Sequence, residues 1–215
     1  MISRRHALFA AFSLAPLVGR PRQAGAVTPI SQTPQDQADI QRVEAYLNAL
    51  RTMKAHFFQV AQNGGTSEGT AWLERPGRMR FQYDPPAPFL LLASSGVLTF
   101  HDGSLQQNSN IPLSRTPLGI LLADHVTLSG AVTVTAIDRL PGQLQLTLIR
   151  TATPGDGSLS LIFTEEPLTL RQWTVVDAQQ RVTHVTLSNM QTGGHYSDQL
   201  FEQISVPASA LQSGG

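Results

Sequence analysis

Few of the residues that ordinarily do chemistry stand at a spacing that lets them act together. Gly65-Thr66-Ser67-Glu68-Gly69 matches the Gly-x-Ser-x-Gly pattern of serine hydrolases. That pattern activates its serine only where a strand runs through a strained turn into a helix. Here the flanking residues are patterned as strands, and Asn63-Gly64-Gly65 is a hairpin signal. Ser67 is therefore expected at a hairpin tip, without a catalytic role. Glu165 and Glu166 precede Pro167; neighbouring strand residues face opposite ways, so they form no acid–base pair. His56, His101, His125, His184 and His195 have no ligand-like spacing, and the chain has no cysteine to join them. A metal needs convergent ligands, so none is expected, nor is any other cofactor. No glycine-rich loop leads from a strand into a helix, so no phosphate cradle is visible. The reading is a protein that catalyses nothing.

One charge remains of interest. Arg75 opens the corner Arg75-Pro76-Gly77. Proline presets one turn dihedral, and glycine accepts positive φ at no steric cost. On residue type alone, Arg75 either sits solvated on the turn or sends its guanidinium fork to the carbonyls of a nearby helix end.

The elements that must position these residues are mostly strands. Gly69 to Tyr83 reads as two strands around the Arg75 corner. Met79, Phe81 and Tyr83 alternate with Arg78, Arg80 and Gln82, so one face is apolar and the other charged and open to water. Residues 27–36 read as a loose lead-in. A helix follows over about Gln37 to Leu50, with Ile40, Val43, Leu47 and Leu50 on one stripe. Strand patterns cover 53–62, 89–93, 97–101, 105–108, 132–136, 143–148, 159–163, 168–170, 173–175, 182–187 and 200–206. Thr116 to Ala123 breaks the pattern: a threonine cap, a proline in the first turn, then an apolar run. About two turns of helix do not persist alone, so this segment must lie against a hydrophobic surface. Some of the shorter patterns continue one another, and a sheet of about ten or eleven antiparallel strands curls. The expected fold is mainly β (α+β), a strongly curved sheet or unclosed β-barrel, with the long helix and the short apolar helix on its concave side. Met79, Phe81, Leu144, Leu146, Leu148, Leu161 and Phe163 fit packed core or ligand wall equally well, because the two-residue period is the same for both.

Acids and bases balance at fifteen each, so nothing points to nucleic acid. The balance hides an asymmetry: Arg4, Arg5, Arg20 and Arg22 precede residue 27 and no acid does. Residues 1–26 read as an export signal. It has a positive start, an apolar run from Ala7 to Val18 and a small-x-small site at Ala24-Gly25-Ala26. Ser3-Arg4-Arg5-His6-Ala7-Leu8 fits the twin-arginine route as well as the general secretory one, and both end in the periplasm. The domain is expected over 27–208, with a flexible tail over 209–215.

Several of these features resemble one family in order. They are the amphipathic helix, Phe57-Phe58-Gln59, Trp72-Leu73-Glu74-Arg75-Pro76-Gly77, Phe81-x-Tyr83-x-x-Pro86 and Thr116-Pro117-Leu118 with Leu121-Leu122. Together with Trp173…Asp177…Gln180, they make the chain similar to the LolA family, periplasmic carriers of outer-membrane lipoproteins. The resemblance implies a monomer whose unclosed barrel shields acyl chains under a helical lid. It also implies partners: the lipoproteins themselves, an inner-membrane ABC transporter that releases them, and the outer-membrane receptor LolB. By the same resemblance Arg75 bonds to the lid, and Met79 stands where the family often has an aromatic residue at the cavity mouth. The expected cavity and lid residues are Arg75, Met79, Phe81, Trp72, Phe58, Leu91, Leu118, Leu121, Leu122, Leu144, Leu146, Leu148, Leu161 and Phe163. The chain departs from the family at Ser95-Gly96, often Asp-Gly, and in its C-terminal Phe201 to Pro207 stretch. Alternatives within the same fold are a LolB-type receptor, a carrier of another lipid, and an envelope-stress regulator of the RseB type. Missing cysteine weighs against the first, and a length of 215 residues against the last.

Overall fold

The computed structural model describes residues 31–202. The expected signal segment, residues 27–30 of the lead-in and the tail lie outside the described residues. Within them the helix α1 spans Pro34–Ala49 and starts earlier than its apolar stripe indicates. Thr33 and Asp36 explain the difference. The Thr33 hydroxyl accepts from the Asp36 N–H, and the Asp36 carboxylate accepts from the Thr33 N–H at 2.8 Å, a capping box with Pro34 in the first turn.

Eleven strands follow: β1 (Thr52–Ala61), β2 (Thr66–Glu74), β3 (Arg78–Tyr83), β4 (Phe89–Ser94), β5 (Val97–Asp102), β6 (Gln107–Pro112), β7 (Val132–Leu140), β8 (Gln143–Arg150), β9 (Gly157–Glu165), β10 (Leu168–Asp177) and β11 (Val182–Thr192). Between β6 and β7 lie a 3₁₀ turn, Leu113–Arg115, and the one-turn helix α2, Leu118–Leu121. All strands form one antiparallel sheet in the order β6-β5-β4-β3-β2-β1-β11-β10-β9-β8-β7. The outer strands β6 and β7 are not paired, so the barrel is unclosed.

The sheet is two meanders joined where β11 returns to β1, with Phe57 opposite Leu187. α1 lies on the concave side over the second meander. Tyr46 meets Phe163 edge-on at 5.6 Å, and its hydroxyl accepts from the Leu170 N–H at 3.1 Å. Arg139 of β7 donates to both Asp36 and Asp39, and Arg42 bridges Asp39 and Glu165. Beneath this helix Leu144, Leu146, Leu148, Leu161 and Phe163 are fully buried. Each such side chain contributes about 1.5–3 kcal/mol of burial free energy.

Three expected elements differ from what the residues form. The strand expected at 105–108 begins two residues later. Asp102 Oδ1 accepts from the N–H groups of Ser104 and Leu105, and Gln106 takes φ 52°, so the hairpin turn runs on to Gln106. The apolar helix is shorter than 116–123: Thr116 does not cap it, because its hydroxyl donates back to the Leu113 carbonyl at 3.0 Å. The strand expected at 200–206 is a 3₁₀ turn, Asp198–Phe201, over its described part. That turn packs on the convex face of β3 and buries Phe201. Arg78 pairs with Asp198 at 2.6 Å, and Arg80 donates to the Leu200 carbonyl at 3.1 Å. The charged face of β3 is therefore partly covered rather than left to water, and burial pushes the Arg80 pKa down.

Candidate functional site: an apolar groove under a latched helix

The first meander curls without a long helix to fill it. The register carries one apolar row across it: Ala71 faces Phe81, Phe81 faces Leu91, and Leu91 faces Phe100. All of these point to the concave side. Aromatic contacts link the row to its neighbours, with Phe57 to Phe81 at 4.6 Å and Phe81 to Trp173 at 5.9 Å. Between this wall, β10–β11 and the segment before β7 lies a groove of about 1040 Å³. That matches the upper end of known ligand pockets, about 300–1,000 Å³. Its apolar lining includes Met79, Phe81, Leu91, Phe100, Leu118 and Trp173.

Polar groups also line the groove, among them Gln59, Tyr83, Asn110, Arg115, Asp156 and Asp177. Burial pushes the Tyr83 hydroxyl pKa up, so it stays protonated and donates to Gln59 Oε1 at 2.9 Å. Arg115 stands at the rim, and Arg181 there is paired with Asp177 at 2.7 Å. Ser67 lies within β2 opposite Gln59, with no strand-to-helix elbow around it. His56 instead approaches Glu68 at 3.6 Å. Among the described residues no three His, Asp or Glu side chains converge on a metal position.

α2 is held over the groove from one side by the Arg75 corner. Arg75 is only 5 % exposed. Its Nε and Nη2 donate to the Leu50 carbonyl at 3.0 and 2.9 Å, and its Nη1 donates to the Ala123 carbonyl at 3.2 Å. Leu50 ends α1 and Ala123 follows α2, so one guanidinium joins the two helix ends. Helix ends leave carbonyls unsatisfied, and the planar fork of arginine can reach two of them at once. The Gly77 N–H adds a bond to the Leu122 carbonyl at 2.9 Å, with Gly77 at φ 73°. Burial, followed by the nearby Arg51 charge, pushes the Arg75 pKa down, and Asp124 partly offsets this. Three further ties hold the segment after α2, two to α1 itself and one to Arg51 just past its end. Asn48 exchanges two bonds with Val126, Glu44 accepts from the Leu128 N–H, and Arg51 pairs with Asp124 at 2.9 Å.

The expected site residues separate into four groups. Met79, Phe81, Leu91 and Leu118 line the groove, and Arg75 is the joint. Leu121 and Leu122 are buried under the corner rather than at the groove. Leu144, Leu146, Leu148, Leu161 and Phe163 are solid core, because α1 already fills their half of the barrel. Phe58 and Trp72 do not face the cavity at all. Phe58 is 43 % exposed on the convex face while Phe57 is buried inside, and Trp72 lies between inward Ala71 and Leu73 with Lys54 over its ring. Tyr83, Leu98, Phe100, Ile111, Trp173, Val175 and Val185 also line the groove, although none is among the expected cavity residues. The signal for Tyr83 was present in its alternation with Phe81. Phe100 needed the hairpin registers.

The family model "Outer membrane lipoprotein carrier protein LolA" matches residues 48–203. An outer-membrane lipoprotein carrier protein of Methylococcus capsulatus is 27% identical over 176 residues, which cover 78% of this chain and 83% of that protein. A carrier protein of the same name from Pseudomonas paraeruginosa is 30% identical over 109 residues, 46% of this chain and 52% of its own. Among solved structures, a LolA superfamily protein from Nitrosomonas europaea aligns with a TM-score of 0.42 at 10% identity, covering 76% of this chain and 97% of that one. The Pseudomonas aeruginosa MucA/MucB complex aligns at 0.39 and 13% identity, over 78% of this chain and 61% of that one.

Proposed function

We infer the function from one premise: the chain belongs to the LolA family of outer-membrane lipoprotein carrier proteins. Its groove takes the acyl chains of a lipoprotein released from the inner membrane by an ABC transporter. The protein carries them through the periplasm and passes them to the outer-membrane receptor LolB, without making or breaking a bond. The observation that carries this reading is the groove of about 1040 Å³, apolar along its walls and bounded by a one-turn helix hung on Arg75.

The energetics suit transport. Each acyl methylene withdrawn from water is worth about 0.8 kcal/mol, so ten of them give roughly 8 kcal/mol. A carrier must hide that surface and still let go of it. A closed state held by a few hydrogen bonds, each about 1 kcal/mol net, is adjustable on the scale needed. In this reading α2 is a lid, Arg75 keeps it shut over an empty groove, and an arriving chain exchanges those bonds for buried apolar surface. Met79, Phe81, Leu91 and Leu118 form the acyl-chain wall.

The test is to purify the full chain from the periplasm and identify bound material by mass spectrometry, then follow delivery to LolB. Acylated protein in the wild-type preparation is expected. Arg75→Leu is expected to fold normally, bind cargo and change its release. Wild-type release by Arg75→Leu removes the latch role, and a preparation free of any acylated ligand removes the carrier role.

A further inference from the structure

We propose that the free edge of β6 accepts one more strand, and that its occupant is the extended peptide following the acylated end of the cargo. The inference rests on the carrier reading above. β6 and β7 are the two outer strands of the sheet. β7 carries devices that blunt an edge: a bulge between Val134 and Ala136, and an Arg139 tied to Asp36 and Asp39. β6 carries neither. Its register with β5 is unbroken from Gln107 to Pro112, all six residues are exposed, and none is Lys or Arg.

The bonding phase of β6 can be read from its end. The Leu113 N–H donates to the Gly96 carbonyl at 2.8 Å, and Leu113 opposite Gly96 continues the register in which Pro112 faces Val97. Antiparallel pairs alternate between bonded and non-bonded. The bonded positions are therefore Ile111, Ser109 and Gln107. The main-chain N–H groups of Asn108 and Asn110, and the carbonyls of Asn108, Asn110 and Pro112, point away from the sheet. Among the described residues no other element bonds to them.

The place of this edge selects its occupant. Ser109 to Pro112 form one lip of the groove, so a peptide leaving acyl chains buried there passes β6 within its first residues. Strand addition uses main-chain groups and is indifferent to side chains, which suits a carrier of many sequences. β6 offers six residues of length, enough for a peptide of about 20 Å.

The full chain is tested against three probes by displacement of a fluorescent fatty acid. They are tripalmitoyl-cysteine amide, the same group followed by ten residues, and that lipopeptide N-methylated on alternate residues. The ten-residue probe is expected to bind about tenfold more tightly than the amide, from a few added bonds, and methylation to remove the gain. Asn108→Pro removes one outward N–H at a position where an edge strand tolerates proline. It is expected to cut that gain about fivefold and leave the amide affinity unchanged, with circular dichroism confirming the fold. Equal binding of the methylated and unmethylated probes overturns the edge site and leaves the carrier reading intact. No binding of any probe overturns both. A dimer of the native chain that Asn108→Pro dissolves assigns the edge to a second copy and also overturns the proposal.

Discussion

Arg75 spends three donors on two carbonyls, and no carboxylate contacts it among the described residues. This geometry gives arginine an advantage that charge alone does not supply. A lysine ammonium is a point donor and cannot hold Leu50 and Ala123 together in one plane. Arg75→Lys is therefore expected to loosen α2 despite keeping the charge. Losing about 1.4 kcal/mol of bonding corresponds to tenfold faster hydrogen exchange at the amides of residues 119–126. Unchanged exchange in Arg75→Lys assigns the joint to Gly77 and the Asn48 pair instead. A second residue-scale device lies at the other end of α1. The Asp36 pKa is lowered from 3.8 to about 2, first by the Thr33 N–H, then by Arg139 and the Thr33 hydroxyl. A carboxylate held below its unfolded value contributes stability that is full above about pH 4 and lost as pH falls towards 2. Urea midpoints are expected to drop across that window in the native chain and less steeply in Asp36→Asn. Parallel pH profiles for the two rule Asp36 out as a source of the acid sensitivity.

α2 has four residues and no side-chain cap, too little to hold itself together. Its position depends on Gly119, packed against the preceding 3₁₀ turn. A Cβ there lies 2.5 Å from the Leu113 carbonyl and also against the end of the Arg150 side chain. The arginine can swing aside; the carbonyl, fixed by the turn, cannot. Gly119→Ala is thus expected to push α2 off its seat, costing about 1–2 kcal/mol and speeding entry of a fluorescent fatty acid into the groove. An entry rate equal to wild type shows that α2 does not gate the groove. The elements themselves were largely legible in the sequence, because strand alternation and turn residues are local signals. Where the fold departs from the sequence pattern, the deciding partner is remote or the local pattern is ambiguous. Thr116 looked like a cap, yet its hydroxyl turns back to Leu113. Phe57 and Phe58 are adjacent, so either could have faced inward, and a one-residue slip exchanges the two faces. The register with β2 and β11 puts Phe57 inside. Periodicity also cannot say which half of a curled sheet a helix fills, so it leaves the β8 and β9 leucines equally suited to core or groove wall, and only the position of α1 over them decides.

At the scale of the whole molecule the barrel is divided between two tasks. β7 to β10 close around α1 as a conventional core, whereas β1 to β6 with β10 and β11 enclose a groove of about 1040 Å³. The first half stabilises the sheet; the second leaves apolar surface uncommitted, which lowers stability but gives a ligand something to cover. The consequence is a separation that mutation can expose. Leu146 is fully buried and fully packed, so Leu146→Ala removes transfer free energy and leaves a cavity, a loss of about 2–5 kcal/mol. Phe100 lines the groove, is 36 % exposed and packs on Phe89 at 5.4 Å, so Phe100→Ser is expected to cost about 1–2 kcal/mol, less than Leu146→Ala. Lipid binding is expected to show the opposite order. Displacement of a fluorescent fatty acid should be within twofold of wild type for Leu146→Ala at a temperature where it is folded, and several-fold weaker for Phe100→Ser. Stability is read from the urea midpoint and affinity from the same preparation, so each variant serves as the other's control. If Leu146→Ala weakens binding as much as Phe100→Ser does, the two halves form a single elastic unit. The groove must then be a consequence of core packing rather than a compartment built beside it.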